Sequence, residues 1–179
     1  KPDRRQRQMC IRDRIKGLKI CGVSDPKTLD FILNHPHPPK FIGFITNYEK
    51  SKRFIEYEKL KRLINVERKQ VNFTSVLVKP TDETLEKIKN LNFNYYQLYD
   101  VSPERTKEIK SRYRIKIITA ITVSNKNDVN KYKNYTDISD IILFDSKGYH
   151  KSESFDHNLL NGVSKDCLLY TSPSPRDLY

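Results

Sequence analysis

The sequence predicts an α/β fold in which a parallel β-sheet is covered by helices. Short apolar runs alternate with helix-like runs, and each pair occupies roughly 20–30 residues, as expected of βα units. The apolar runs are rich in β-branched and aromatic residues and show little polar alternation, which is typical of strands buried on both faces. Six such units follow one another, so right-handed crossovers between parallel strands are expected.

The strand candidates are the most regular feature of the chain. They are bounded by polar, proline-containing or asparagine-containing segments, which act as turn signals. In chain order the predicted strands are Leu18–Val23, Phe41–Thr46, Asn72–Val78, Tyr95–Tyr99, Lys116–Thr122 and Ile141–Phe144.

Capping residues mark where the helices between these strands begin. Ser24–Pro26 and Ser102–Glu104 each place a capping side chain before a proline, which suits the first helical position because that position needs no N–H donor. Pro80–Glu83 and Ser124–Asn125 supply two more caps. Glu56–Val66 carries apolar residues on one face and charges on the other, which predicts an amphipathic helix.

Two architectures fit this alternation: an open doubly wound sheet, or part of a (β/α)8 TIM barrel. Neither GxGxxG nor GxxxxGK[ST] follows any strand, and the whole chain has only five glycines. This argues against a nucleotide-binding open sheet. The pattern favours the barrel, truncated to about six βα units, without excluding the open sheet.

The net charge of +12 raises the possibility of a nucleic-acid partner. Residues 1–14 hold a net +4, and the rest is spread as lysines interleaved with acidic residues. Spread charge is more typical of a solvated surface than of a binding stripe, so no nucleic-acid partner is expected.

No run of about 18 apolar residues occurs, so no membrane partner is expected either. Three cysteines without metal-ligand spacing suggest a reducing compartment, the cytoplasm.

Six short motifs occur in a fixed order along the chain. They read KICG at the end of the first strand, GF followed by SKRFI after the second, YQLYD at the fourth, ITVS at the fifth, LFDS at the sixth and SFDHNLL beyond it. In this order and spacing they resemble the motifs of phosphoribosylanthranilate isomerases, from about Ile15 to Val163. The resemblance covers roughly the first three-quarters of such a (β/α)8 enzyme.

The resemblance implies an isomerase of tryptophan biosynthesis that needs no metal or organic cofactor. Its substrate is the phosphorylated small molecule N-(5-phosphoribosyl)anthranilate, and an Amadori rearrangement yields 1-(2-carboxyphenylamino)-1-deoxyribulose 5-phosphate. By the same resemblance, Cys21 is the general base, Asp145 the general acid, and Arg53 helps to bind the substrate. A free thiol is mostly protonated at neutral pH, so positive charge from Lys19 and Arg53 is expected near Cys21.

Each of these residues has an ordinary structural interpretation as well. A strand cysteine is commonly buried packing, an aspartate after a strand can cap a helix, and an arginine in a charged loop is usually solvated. Their joint occurrence at strand ends, in the family's order, favours catalysis over these alternatives.

The chain also departs from the family's motifs. Tyr99 and Asp100 replace a histidine and a glycine, His157 replaces a tryptophan, and Tyr149–Glu153 lacks the expected glycines. For this reason none of these residues is assigned to the site.

Both ends of the chain resemble translated sequencing-adapter sequence. Residues 1–14 and 164–179 are therefore expected to be non-native or disordered tails, with a partial barrel domain at 15–163. The strands that usually bind phosphate in this fold are expected to be missing. Another sugar-phosphate barrel enzyme, or a basic nucleic-acid-binding module, remains an alternative function. The sequence predicts no oligomeric state.

Overall fold

The computed structural model describes residues 17–146, 155–163 and 168–170. In it, seven strands form one sheet in the order β1 to β7, and every neighbouring pair is parallel. A doubly wound sheet reverses its strand order at a switch point, whereas a barrel adds strands in chain order. The order found here has no reversal within the described residues. The fold is therefore the α/β architecture of a (β/α)8 barrel, as the sequence predicts.

The strands lie where the sequence analysis expected them. Asn72–Val78 and Tyr95–Tyr99 match their predicted bounds, and the first strand is shorter because Gly22 adopts a φ of +79° and ends it at Cys21. The observed bounds are β1 Lys19–Cys21, β2 Phe41–Ile45, β3 Asn72–Val78, β4 Tyr95–Tyr99, β5 Lys116–Val123, β6 Ile141–Ser146 and β7 Leu168–Tyr170.

The seventh strand was not predicted. Leu168–Tyr170 pairs in parallel with Ile142–Phe144 of β6, inside the segment that the sequence analysis assigned to a tail. The segment has no apolar period by which a strand could be recognised. Residues 1–14, most of 164–179, and the glycine-poor segment Tyr149–Glu153 lie outside the described residues.

The four caps expected from the sequence are confirmed. Asp25 accepts a hydrogen bond from the Thr28 N–H at 2.8 Å, and Ser102, Thr81 and Asn125 cap their helices in the same way. The helices are α1 Pro26–Asn34, α2 Tyr57–Leu63, α3 Asp82–Ile88, α4 Pro103–Tyr113 and α5 Lys126–Asn130, with 3-10 turns at Lys131–Asn134 and His157–Leu160. No helix in the described ranges is long and apolar enough to cross a membrane.

Alternating side chains of the strands pack on opposite faces of the sheet. Phe44 and Phe73 lie on the outer face against helix residues such as Leu29 and Leu85. The other face carries a second cluster, which forms the interior of the barrel. It contains Phe41, Val76, Tyr95, Tyr99, Ile118, Ala120, Ile141 and Leu143, with Cys21, Ile45 and Val78 at its margin. The site described next is built on this interior face.

Candidate active site

Cys21 is the last residue of β1, and its half-buried, free thiol packs at the margin of the interior cluster. Lys19 lies two residues earlier, so its side chain leaves the strand on the same face. Gly22 follows with a left-handed backbone, which turns the chain out of the sheet directly behind the thiol.

Gly43 of the neighbouring strand provides the space in which Lys19 and Cys21 meet. A Cβ atom at Gly43 would lie 2.8 Å from Lys19 Nζ and 3.0 Å from Cys21 Sγ. Because both atoms lie so close to one point, they are no more than about 6 Å apart. The amine is buried and makes no hydrogen bond within the described part of the chain. A buried amine without a hydrogen-bond partner lowers the stability of the fold, so its presence points to a role other than folding.

Arg53 reaches the same strand end from the loop after β2. Its Nη1 donates a 3.3 Å hydrogen bond to the carbonyl oxygen of Cys21. A Cβ atom at Gly22 would lie 2.5 Å from Cδ of Arg53, so the glycine lets the arginine cross the strand end. The loop is held by a hydrogen bond from the Arg53 N–H to Ser51 Oγ (3.2 Å) and by a bridge between Ile45 and Phe54.

Asp145 lies within β6, which extends two residues beyond the predicted end. Its Oδ1 accepts a hydrogen bond from the Ser146 N–H at 2.9 Å, and its Oδ2 accepts one from the Tyr99 hydroxyl at 2.7 Å. The carboxyl group is therefore held through both oxygens. It does not cap a helix through either of these contacts.

Tyr99 is hydrogen-bonded to Asp145 and is close enough to Cys21 for the charge of the thiol group to act on it. Burial raises the pKa of its phenol well above the usual 10.0, and the charges of Asp145 and Cys21 raise it further. Gln97 Nε2 donates a 3.0 Å hydrogen bond to the phenol oxygen, which acts in the opposite direction. Tyr99 therefore keeps its proton through the neutral range and remains a hydrogen-bond donor.

The structure thus brings the three predicted site residues into one region. Arg53 contacts Cys21 directly, and the charges of both Cys21 and Asp145 act on Tyr99. Sequence analysis left out Tyr99 and Gln97. The available signal was a glutamine in a strand that is otherwise buried and apolar, two residues before the tyrosine and on the same face.

Asp100, which stands where the family has a glycine, and Asp156 of the SFDHNLL motif both have structural explanations. Asp100 adopts a φ of +52°, the left-handed region that favours the glycine expected there, and aspartate is among the residues that tolerate it. Asp156 caps the 3-10 turn by accepting from the Asn158 N–H at 2.9 Å. Neither residue is needed to explain the site. Across residues 17–146 and 155–163, no group of three His, Cys, Asp or Glu side chains could hold a metal ion.

Comparisons with known proteins agree with this geometry. Residues 18–171 match the family model described as N-(5'phosphoribosyl)anthranilate (PRA) isomerase. A curated relative from Rhizobium rhizogenes, named N-(5'-phosphoribosyl)anthranilate isomerase, is 33% identical over 153 residues, which cover 80% of this chain and 68% of the relative.

Solved structures of phosphoribosyl anthranilate isomerases also match this chain. Phosphoribosyl anthranilate isomerase from Thermotoga maritima superposes with a TM-score of 0.74 at 28% identity, over 86% of this chain and 75% of that one. A phosphoribosyl anthranilate isomerase in complex with reduced 1-(o-carboxyphenylamino)-1-deoxyribulose 5-phosphate has a TM-score of 0.63 at 28% identity, over 74% of this chain and 66% of that one.

Proposed function

The chain belongs to the N-(5'-phosphoribosyl)anthranilate isomerase family of tryptophan biosynthesis, and we propose that Cys21 and Asp145 are the general base and general acid of its reaction. The observation that supports this assignment best is the position of Tyr99, which donates a 2.7 Å hydrogen bond to Asp145 and is close enough to Cys21 for the charge of the thiol group to act on it. Such an isomerisation needs an acid and a base that reach the substrate from separate strands, here β6 and β1.

Each group has a defined task in the rearrangement. Asp145 gives its proton to the furanose ring oxygen as the ring C–O bond breaks, and the open-chain imine forms. Cys21 then removes the proton from the sugar carbon next to the imine. The resulting enaminol becomes the aminoketose when the carbon bonded to nitrogen gains a proton and the hydroxyl on the neighbouring carbon loses one to become the carbonyl. Both steps are proton transfers, so the residues need only position and suitable protonation states.

The surroundings of Cys21 favour its role as the base. A thiol acts as a base only when it is ionised, and nearby cationic groups stabilise the thiolate. Lys19 Nζ lies within about 6 Å of the sulfur in a buried position, where its charge is less screened than in water. The guanidinium of Arg53 lies at the same strand end.

Arg53 suits the binding of an anionic group of the substrate. One nitrogen is engaged by the carbonyl of Cys21, and the planar guanidinium has further N–H donors that can bind a carboxylate or phosphate. In this fold, phosphate is usually held after the seventh and eighth strands. We therefore assign Arg53 to the substrate without assigning it to the phosphate. The cytoplasmic location and the lack of a nucleic-acid partner stay predictions.

The test is a fluorescence assay of N-(5'-phosphoribosyl)anthranilate consumption by the full chain and two variants. Cys21→Ser and Asp145→Asn are each expected to lower kcat/KM by about 10²–10⁴-fold, the range that general acid–base groups supply, while thermal unfolding changes little. Serine is too weakly acidic to form the base at neutral pH, and asparagine has no proton to deliver.

Ser146→Ala is the matched control, since it alters a side chain beside Asp145 and keeps the N–H that holds the carboxyl group. It should retain nearly full activity. Near-normal turnover of Cys21→Ser would return the cysteine to a packing role and would contradict the assignment.

A further inference from the structure

We infer that Tyr99 is a positioning residue for the acid step: its hydroxyl orients Asp145 and stabilises the carboxylate that remains after proton delivery. The inference rests on the proposed function, because it assumes that Asp145 is the general acid. The family resemblance does not predict this role, since it places a histidine at this position.

The geometry restricts the rotation of the Asp145 carboxyl group. Tyr99 holds Oδ2 at 2.7 Å and the Ser146 N–H holds Oδ1 at 2.9 Å. Rotation of the group about its last side-chain bond would break both hydrogen bonds. A carboxyl group fixed in this way presents its proton in one direction, which is what transfer to a bound ring oxygen requires.

Gln97 determines in which direction the Tyr99 hydroxyl donates. Its amide Nε2 can only donate, and it does so to the phenol oxygen at 3.0 Å. The phenol O–H is then directed to Asp145. Both side chains are buried, with exposed fractions of 1% for Gln97 and 8% for Tyr99, so water competes poorly for these contacts.

The phenol is a permanent donor at the pH of the reaction. Its raised pKa, caused first by burial and then by the charges of Asp145 and Cys21, keeps it protonated through the neutral range. Asp145 lies on β6 and Cys21 on β1, so the two groups act on the phenol from different strands. Tyr99 therefore does not itself gain or lose a proton during turnover.

The hydrogen bond is stronger after proton delivery than before it. When the proton passes to the ring oxygen, the C–O bond of the ring breaks and Asp145 becomes a carboxylate. Hydrogen bonds to charged groups are roughly twice as strong as those to neutral ones. An interaction that strengthens along the step raises kcat instead of only improving substrate binding.

The test compares Tyr99→Phe with Tyr95→Phe, which removes a hydroxyl from another buried tyrosine on the same strand and face. Tyr99→Phe should lower kcat by about ten- to a hundredfold, with KM within about threefold of the parent value. Tyr95→Phe should behave like the parent chain. Tyr99→His, which restores a ring N–H, should recover part of kcat.

A second measurement does not depend on turnover. In the full chain labelled with 13C-aspartate, the Asp145 13Cγ resonance is assigned by its loss in Asp145→Asn. Tyr99→Phe should displace it and Tyr95→Phe should not. An undisplaced resonance, or a kcat of Tyr99→Phe within twofold of the parent, would overturn the inference. If Asp145→Asn kept its activity, the proposed function would fail instead, so the two failures are distinguishable.

Discussion

Lys19 Nζ and Cys21 Sγ meet above the backbone of Gly43, each within 3.0 Å of the point where a Cβ atom would stand. The amine is buried and has no hydrogen-bond partner among the described residues. Its charge therefore contributes nothing evident to folding. It is well placed to stabilise the thiolate of Cys21. Removing the amine should therefore have opposite effects on the stability of the protein and on the reactivity of the thiol.

Lys19→Met should make the protein more stable and Cys21 less reactive. Removing a buried amine that lacks a partner should raise the free energy of unfolding by about 1–3 kcal/mol, measured by urea denaturation. Alkylation of Cys21 by iodoacetamide at pH 7, followed residue by residue with mass spectrometry, should slow, because the cationic group beside the sulfur is removed.

Lys116→Met is the control for this experiment, since Lys116 is an exposed lysine at the start of β5. It should change neither quantity appreciably. If Lys19→Met left the alkylation rate of Cys21 unchanged, the amine would have no part in activating the thiol.

Gly43→Ala should disturb the site by displacing the Lys19 amine. The new methyl group would also lie 3.3 Å from a methyl of Val76, so we expect a loss of about 1–3 kcal/mol in unfolding free energy. kcat/KM should fall about tenfold as the amine moves. A double-mutant cycle with Lys19→Met checks the cause, because the clash with the amine disappears in the double variant. Additive effects on stability would argue against the contact.

Arg53→Ala should raise KM at least tenfold with a smaller effect on kcat, since it removes a cationic partner for an anionic group. Gly22→Ala should give a similar result, because its methyl group would meet Cδ of Arg53 at 2.5 Å and its backbone would be strained at φ +79°. Steady-state kinetics of both variants provide the measurement.

Arg53→Lys separates charge from shape. Lysine keeps the positive charge but lacks the planar set of donors, so only part of the increase in KM should be recovered. A KM equal to that of the parent chain in Arg53→Ala would remove Arg53 from the substrate site.

Alkaline conditions should destabilise the protein through its buried tyrosines. Burial raises the pKa values of Tyr96 and Tyr99 above the usual 10.0. The unfolded chain therefore loses these protons first as the pH rises, so the stability they contribute is complete below pH 10 and declines above it. Urea midpoints at pH 8 and at about pH 10.5 measure the loss, which should be smaller in Tyr99→Phe.

Absorbance at 295 nm gives a second check on the same prediction. Of the eleven tyrosines in the chain, Tyr99 should not ionise in the normal range while the protein stays folded. Tyr99→Phe should therefore leave the rise in absorbance at 295 nm between pH 9 and about pH 11 unchanged. A smaller amplitude in the variant would show that Tyr99 titrates normally.

Local sequence signals predicted the fold and part of the site. The bounds of β3 and β4 were predicted to the residue, because asparagine-containing and proline-containing segments flank runs that are rich in aromatic and branched apolar residues. Cys21, Arg53 and Asp145 were assigned to the candidate site through short motifs, each of which lies within a few residues of one strand end.

Tyr99 could not be found in that way, because its role depends on strand register. Tyr99 pairs with Ala120, which pairs with Leu143, and Asp145 lies two residues further along the same face. The two partners of this hydrogen bond are 46 residues apart in the chain. No local pattern specifies such a contact. The position of the Lys19 amine could not be predicted from a local pattern either, because it depends on the space left by Gly43, which has no side chain.

The sequential strand order also has a consequence for how the protein folds. Each strand pairs with the one that precedes it in the chain. Forming each pair therefore closes a loop of one βα unit, and the conformational entropy lost is similar each time. The sheet can then grow from β1 onward while the chain is being synthesised. Cys21 is set in place by the first pairing, whereas Asp145 joins only with the sixth strand. A nascent chain would thus carry a reactive thiol long before it carried the acid that completes the reaction.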